Sequence, residues 1–242
     1  MSSVTRRGLV RSGLGAAIAG PTVALAAAES AAADGSSGHR HRPRNGEEAL
    51  NRLMRGNRRF VAGRASHHTH DTAHRAELAQ GQSPFAIILG CADSRVPPEI
   101  VFDEGLGALF VVRVAGNTAR TGVVIGSVEY SVKKFGSVLI MVLAHSKCGA
   151  VEATVEAVED GATFPGSIPD VAKPIIPVVK RVRHRQPHVD KHRLVTLSIR
   201  ANARAAARDL QREPLLHHAI EKGKLKVVAA EYHLHSGRVR VL

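Results

Sequence analysis

Phe85-Ala86-Ile87-Ile88-Leu89-Gly90-Cys91-Ala92-Asp93-Ser94-Arg95 decides the fold, together with a second stretch of the same build, Val138-Leu139-Ile140-Met141-Val142-Leu143-Ala144-His145-Ser146-Lys147-Cys148-Gly149. In each, a short run without polar alternation leads straight into chemistry-bearing side chains. Runs of that length and character are strands covered on both faces, as in parallel sheets. The carboxyl ends of parallel strands share one edge, where ligands collect. Cys91, His145 and Cys148 are therefore expected to converge, although they lie far apart in the chain.

Two sulfurs and one imidazole nitrogen suit a borderline-soft, four-coordinate ion such as Zn²⁺, and three protein ligands leave its fourth position open to water. An open position marks a catalytic rather than a structural site. The chain has 2 cysteines, so composition alone leaves a single disulfide as the competing reading.

The pair of motifs, Cys91-x-Asp93-Ser94-Arg95 followed by His145-x-x-Cys148, resembles the zinc-binding motifs of the β-class carbonic anhydrases in form and order. The likeness runs from about Ala49 to Leu242. It implies one Zn²⁺ per chain on Cys91, His145 and Cys148, and hydration of carbon dioxide to bicarbonate and a proton by attack of zinc-bound hydroxide. It also implies that Asp93 and Arg95 act as a catalytic dyad. Asp93, two residues after a ligand, is placed to accept the hydrogen of that hydroxide, and Arg95 to hold the carboxylate ionised. In some relatives the Asp itself swings onto zinc, so Asp93 is also a candidate fourth ligand of a closed state.

Gln82, Phe110 and Tyr130 match substrate-site residues of the plant-like branch, where an amide donor and an apolar wall would receive an uncharged gas. Core packing is the plain alternative for the two aromatics. Gly149 is expected to let the backbone approach the metal closely. Many relatives carry Asn where this chain has Val114, which removes one polar side chain near the site. The resemblance further implies a homodimer or homotetramer.

Outward from the two motifs, helical and buried-strand patterns alternate. The run Ala49-Leu50-x-Arg52-Leu53, continued by Met54, Phe60 and Val61, has helical spacing. It resembles the N-terminal helix that packs across a dimer partner in bacterial β-class enzymes, and an amphipathic helix docked on its own domain is the alternative. A strand is expected over Leu109–Val114 and helices over Val123–Phe135, from Gly149 to about Glu159, over His192–Leu210 and over Pro214–Lys222. Pro165, Pro169, Pro174 and Pro177 make residues 161–177 a loop or a series of short turns, with Ile175–Arg183 as a further helical stretch. Leu225–Leu234, the turn at Ser236-Gly237 and Arg238–Leu242 read as a strand and terminal hairpin. The sum is an α/β fold with a mainly parallel central β-sheet flanked by helices.

Thr5-Arg6-Arg7-Gly8-Leu9-Val10-Arg11 and the Ala- and Gly-rich stretch after it have the basic start, apolar middle and small-residue end of a secretory signal. The paired arginines resemble the twin-arginine class. Residues 1–33 are thus expected to be such a signal, 34–45 a disordered linker and 46–242 one catalytic domain. The enzyme would be exported, with no stable membrane span after signal removal. Twin-arginine export moves folded proteins, so zinc would occupy both thiols before an oxidant reached them. His67, His68, His70 and His74 form a dense histidine patch, expected to be a solvated loop.

The formal charge is +13, but aromatic residues make up only 3% of the chain and Trp is absent, so platforms for stacking bases are scarce. No nucleic-acid partner is expected. Two other readings share the same residues. The scaffold would equally suit hydrolysis of carbon disulfide or carbonyl sulfide, or the metal would only staple a basic, non-catalytic binding protein. Against the staple, a structural ion needs no Asp93–Arg95 dyad.

Overall fold

The computed structural model describes residues 41–66, 68 and 71–242, and residues 41–242 form one compact unit. The expected signal peptide, most of the expected linker, and His67 and His70 lie outside the described residues. At the end of the linker stretch, Arg42 donates to the carbonyls of Phe135 (2.7 Å) and Gly136 (3.0 Å).

Five strands form one sheet: β1 (Ala86–Gly90), β2 (Leu109–Arg113), β3 (Leu139–His145), β4 (Lys226–Tyr232) and β5 (Val239–Val241). Their order is β2-β1-β3-β4-β5. The first four run parallel, and β5 returns antiparallel beside β4, as the Ser236-Gly237 turn requires. Every residue of β1 and β3 is buried. Alternation along them feeds two separate cores: Ile87, Leu89, Ile140 and Val142 pack on one face, while Ala86, Ile88, Met141 and Leu143 pack on the other. A strand covered twice has no polar face, which is why these runs carry no alternation.

The first face is covered by α4 (Gly122–Phe135), α5 (Gly149–Glu159), α7 (Ile176–Arg185), α8 (Lys191–Arg212) and α9 (Pro214–Glu221); the second mainly by α1 (Gly46–Val61) and the short α3 (Pro98–Val101). A small helix, α2 (Thr72–Ala79), precedes β1. The proline-rich segment holds more helix than its sequence suggested. Residues 168–172 form α6, and Pro169 and Pro177 sit in the first turns of α6 and α7, where no backbone donor is needed.

α1 is docked on its own chain. Asn45 caps it by accepting from the amides of Glu47 and Glu48, and Glu48 reaches back to the amide of Arg44 at 2.9 Å. Ala49 and Leu53 are fully buried in the second core. Asn57 donates to the carbonyls of Val101 (3.0 Å) and Gly237 (2.8 Å) and accepts from the amide of Val239 (2.8 Å). Gly56 allows the close approach, since a Cβ there would sit 1.7 Å from the Phe102 carbonyl oxygen. Its own domain therefore already accounts for the apolar period of this helix. His68, expected to be solvated, is three-quarters buried or more and bonds through Nε2 to the Asp103 carbonyl at 2.8 Å.

Candidate metal centre

β1 and β3 are hydrogen-bonded neighbours with Gly90 opposite Leu143, so their carboxyl ends deliver Cys91 and His145 to one spot. Cys148 follows three residues after His145, as the cap of α5. The turn between them needs a left-handed residue, and Lys147 supplies it at φ 54°. The ligand atoms of Cys91, His145 and Cys148 all lie within 4.8 Å of one another, and all three residues are buried. Both cysteines are free thiols. The sequence expectation of convergence holds, and the disulfide reading does not describe this state.

The donors are arranged as ligands. His145 donates from Nδ1 to the Ser146 carbonyl at 3.0 Å, which leaves a lone pair on Nε2. That Nε2 is one of three buried side-chain polar atoms without a partner among the described residues. A buried acceptor of this kind normally costs ~1–3 kcal/mol when left bare, and here it faces two sulfurs. The two sulfurs lie within 4.8 Å of each other, and their proximity pushes the Cys91 thiol down and that of Cys148 up. The N-terminus of α5 adds positive potential beside Cys148. Burial works against a charge on His145, but the Cys91 sulfur and the Asp93 carboxylate outweigh it and raise the imidazole. An orphaned imidazole nitrogen, two thiols and a helix N-terminus fit a thiophilic cation.

Asp93 stands beside this triangle with Oδ2 3.8 Å from His145 Nε2. Arg95 takes both of its oxygens: the backbone amide and Nε donate to Oδ1 at 2.9 Å each, and one terminal guanidinium nitrogen donates to Oδ2 at 2.6 Å. These bonds hold the Asp93 carboxyl down at about 2. The same guanidinium nitrogen reaches the Lys147 carbonyl at 3.3 Å, tying the two motifs together.

Three residues that the sequence did not single out hold the ligands in place. Arg113, the last residue of β2, donates to the carbonyls of Cys91 (2.9 Å) and Asp93 and so fixes the turn after β1. The amide of Gly116 points at the Cys91 sulfur (3.4 Å), and Asn202 on α8 grips the Gly116 carbonyl (2.7 Å). Gly116 has φ 74°, and a Cβ there would meet Ile175 Cδ1 at 2.7 Å. An arginine at the carboxyl end of an apolar strand was the one available signal. The other two contacts are backbone-mediated and leave no mark in a pattern of residue types.

Gln82, Phe110, Tyr130 and Gly149 are placed differently. Gly149 is exposed, with nothing within 4 Å of where a Cβ would lie, so no protein atom demands a glycine there. Gln82 is exposed and precedes β1, at the opposite end of the strand from Cys91. Five residues at ~3.3 Å each put about 16 Å of strand between the two ends. Phe110 is near the start of β2, opposite Ile87. It packs with Phe135 and Tyr130 at ring-centroid distances of 6.1 and 6.4 Å, and Tyr130 is 53% exposed. Within one chain these three residues do not line the cysteine–histidine cluster.

A cavity of about 490 Å³ adjoins the cluster. Arg95, Ser146 and Lys147, which belong to the two motifs, line it together with His192, His233 and His235. No helix among the described residues is long and apolar enough to cross a membrane.

Comparison with known proteins agrees with this geometry. A sequence model of the carbonic anhydrase family matches residues 86–239. The chain is 42% identical over 195 residues to carbonic anhydrase 2 of Mycobacterium tuberculosis, covering 77% of this chain and 87% of that protein. It is 36% identical to a carbonic anhydrase of Mycolicibacterium smegmatis, over 78% and 89% of the two chains. Among solved structures, the β-carbonic anhydrase CcaA superposes with a TM-score of 0.63 at 26% identity, covering 80% of this chain and 94% of that one. A tetrameric β-carbonic anhydrase of Sordaria macrospora gives 0.66 at 22% identity, covering 80% and 96%.

Proposed function

This chain belongs to the β-class carbonic anhydrases, and from that premise we propose that Cys91, His145 and Cys148 hold one Zn²⁺ with which it interconverts carbon dioxide and bicarbonate. The observation that carries the proposal is the convergence of two free thiols and an unpartnered imidazole nitrogen within 4.8 Å. When bound, zinc would act as a Lewis acid that strongly lowers the pKa of a water held beside it, making a hydroxide available for attack on carbon dioxide.

The chain's own residues do the rest. Asp93, held ionised by Arg95, is an acceptor beside the cluster and orients the attacking water by taking one of its hydrogens. Arg95 keeps that carboxylate off His145 and so keeps room for a reactant. Arg113 and Gly116 hold the Cys91 turn at its angle. His192, His233 and His235 offer imidazoles in the adjoining cavity to carry the released proton outward.

The substrate residues expected from the plant-like branch reach such a centre only from a second copy of the chain. β2 is an edge strand that is apolar and half-buried, and Val123 and Tyr130 beside it are 81% and 53% exposed. An unpaired apolar edge favours a partner. We therefore assign Gln82, Phe110 and Tyr130 to the neighbouring subunit's substrate site, in a homodimer or an assembly of dimers. Export by the twin-arginine-type signal of residues 1–33 remains part of the proposal, tested by the amino terminus of the secreted protein.

The deciding experiment measures zinc per chain and carbon dioxide hydration in parallel. The wild type is expected to carry one zinc and to be active, and Cys148→Ser to lose both. A Cys148→Ser protein that hydrates carbon dioxide normally overturns the assignment.

A further inference from the structure

On the side of α7 and α8 away from the sheet lies a trough that the carbonic anhydrase reaction does not use. Its larger part, about 430 Å³, is lined by Arg120, Arg181, Arg185, Arg208 and Arg212 with a single carboxylate, Asp209. It continues into a smaller part of about 160 Å³ that shares Arg181, Arg185 and Arg208 and adds Arg204. Ala201 and Ala205 on α8, with Val178 and Val182 on α7, make the floor. Small residues below and long cationic ones along the rims are what give the surface its concave shape.

The charges are not compensated. Asp209 already pairs with Arg120 at 3.0 Å and lies 4.0 Å from Arg212. Arg181, Arg185, Arg204 and Arg208 are exposed and have no acidic partner among the described residues. The same two helices do pair cations elsewhere: Arg183 with Glu159, and Lys191 with Asp160. Arg181 and Arg185 are one turn apart, as are Arg204, Arg208 and Arg212, so each helix presents a row with ~6 Å between successive positions. Rows of guanidinium groups facing each other repel unless an anion lies between them. All are arginines, whose planar forks bind phosphate oxygens in pairs.

We propose that this trough binds a linear oligophosphate, a chain of phosphate groups laid between the two rows. Its concave shape suits a threaded chain rather than a planar lipid surface. The trough is lined by no aromatic side chain, so the bases of a single-stranded nucleic acid would find nothing to stack on. A second copy meeting it face to face would set arginine against arginine. The site is separate from the metal centre, so ligation there would tether or store the enzyme without blocking its chemistry.

Titration calorimetry of the zinc-loaded full chain with sodium tripolyphosphate tests this at low and high salt. Tight binding at low salt is expected, weakening as salt rises. Arg181→Gln/Arg185→Gln/Arg204→Gln/Arg208→Gln should weaken it at least about tenfold while hydration activity stays normal, and activity doubles as the check on folding. A control removing four exposed arginines elsewhere, Arg55→Gln/Arg58→Gln/Arg238→Gln/Arg240→Gln, should change it less than about twofold. The milder Arg181→Gln/Arg208→Gln pair serves if the quadruple variant fails to fold. Equal losses in trough and control variants would mean a diffuse field and overturn the site. So would tighter binding of single-stranded DNA than of tripolyphosphate, or trough-dependent binding to anionic phospholipid vesicles with no binding of tripolyphosphate.

Discussion

Oδ2 of Asp93 lies 3.8 Å from Nε2 of His145 without bonding to it, because Arg95 occupies both carboxylate oxygens. Arg95 therefore decides whether Asp93 serves the reaction or collapses onto the ligand cluster. Arg95→Ala should keep the metal but lose on the order of tenfold to hundredfold in activity. The pH dependence has a definite sign. Held at about 2, Asp93 is ionised throughout the working range. The stabilisation linked to it is complete above the ordinary carboxylate pKa and is lost as pH falls through about 2. Without Arg95 the carboxyl returns upward toward its ordinary value, so the acid limb of the pH–activity profile should move to higher pH. An unmoved acid limb in Arg95→Ala would show that Asp93 does not depend on Arg95.

Removing the metal should expose a second fate for the two sulfurs. They are buried, free and within 4.8 Å of each other, so a chelated protein is set up for oxidation. Chelation is expected to lower the melting temperature by several degrees, as loss of a native-state ligand does. On exposure to a mild oxidant, the thiol count of the chelated protein should fall from two to zero, while that of the zinc-loaded protein stays at two. Zinc should then rebind only after reduction. Equal oxidation rates with and without zinc would argue that the metal does not sit on the sulfurs.

Gly116 links the metal centre to α8, through its amide to Cys91 and its carbonyl to Asn202. Gly116→Ala must strain a φ of 74° and push against Ile175, at a cost of roughly 1–3 kcal/mol. The amide would leave the sulfur as the loop shifts. Lower stability in denaturant together with about tenfold weaker zinc binding is the expected result. Arg113→Ala should likewise weaken zinc binding, by releasing the Cys91 and Asp93 carbonyls.

How far the sequence revealed all this follows from what kind of force acts at each place. β1 and β3 were legible because burial on both faces removes every polar residue from a strand. The cluster was legible because Cys91 and His145 stand at the ends of those strands and Cys148 follows within one turn. Asn202 was not, because it acts on a backbone carbonyl, which any sequence offers, and Arg113 left only the trace of an arginine at the end of an apolar strand. α6 was hidden by prolines that look like breakers yet fit a first helical turn. The substrate residues show a different limit: motif spacing placed Gln82 and Tyr130 at a substrate site, whereas the length of β1 puts Gln82, and packing on Phe110 puts Tyr130, toward the far end of their own sheet.

That separation makes a prediction about assembly. If a neighbouring copy supplies Gln82 and Tyr130, the active protein is at least dimeric at assay concentration. Dilution below the dimer dissociation constant should then lower the activity per chain while zinc content stays constant. Gln82→Ala should raise KM several-fold with the metal retained. Light scattering that finds an active monomer would sever these residues from the substrate site.

The cavity beside the centre bears on how the product proton leaves. Hydration must release one proton per turnover, and the dyad cannot store it, since Asp93 bonded to Arg95 is too weak a base. His192, His233 and His235 line the cavity behind Arg95 and Lys147, and imidazole changes charge nearest to neutrality of all side chains. Replacing the three by Ala should therefore lower kcat by about tenfold in dilute buffer while leaving kcat/KM unchanged, because proton release follows the chemical step. Added imidazole buffer should restore kcat by carrying the proton directly. Stopped-flow rates across a buffer series separate the cases: a kcat loss that no buffer repairs means the histidines shape the site, and no loss in dilute buffer means the proton leaves by another route.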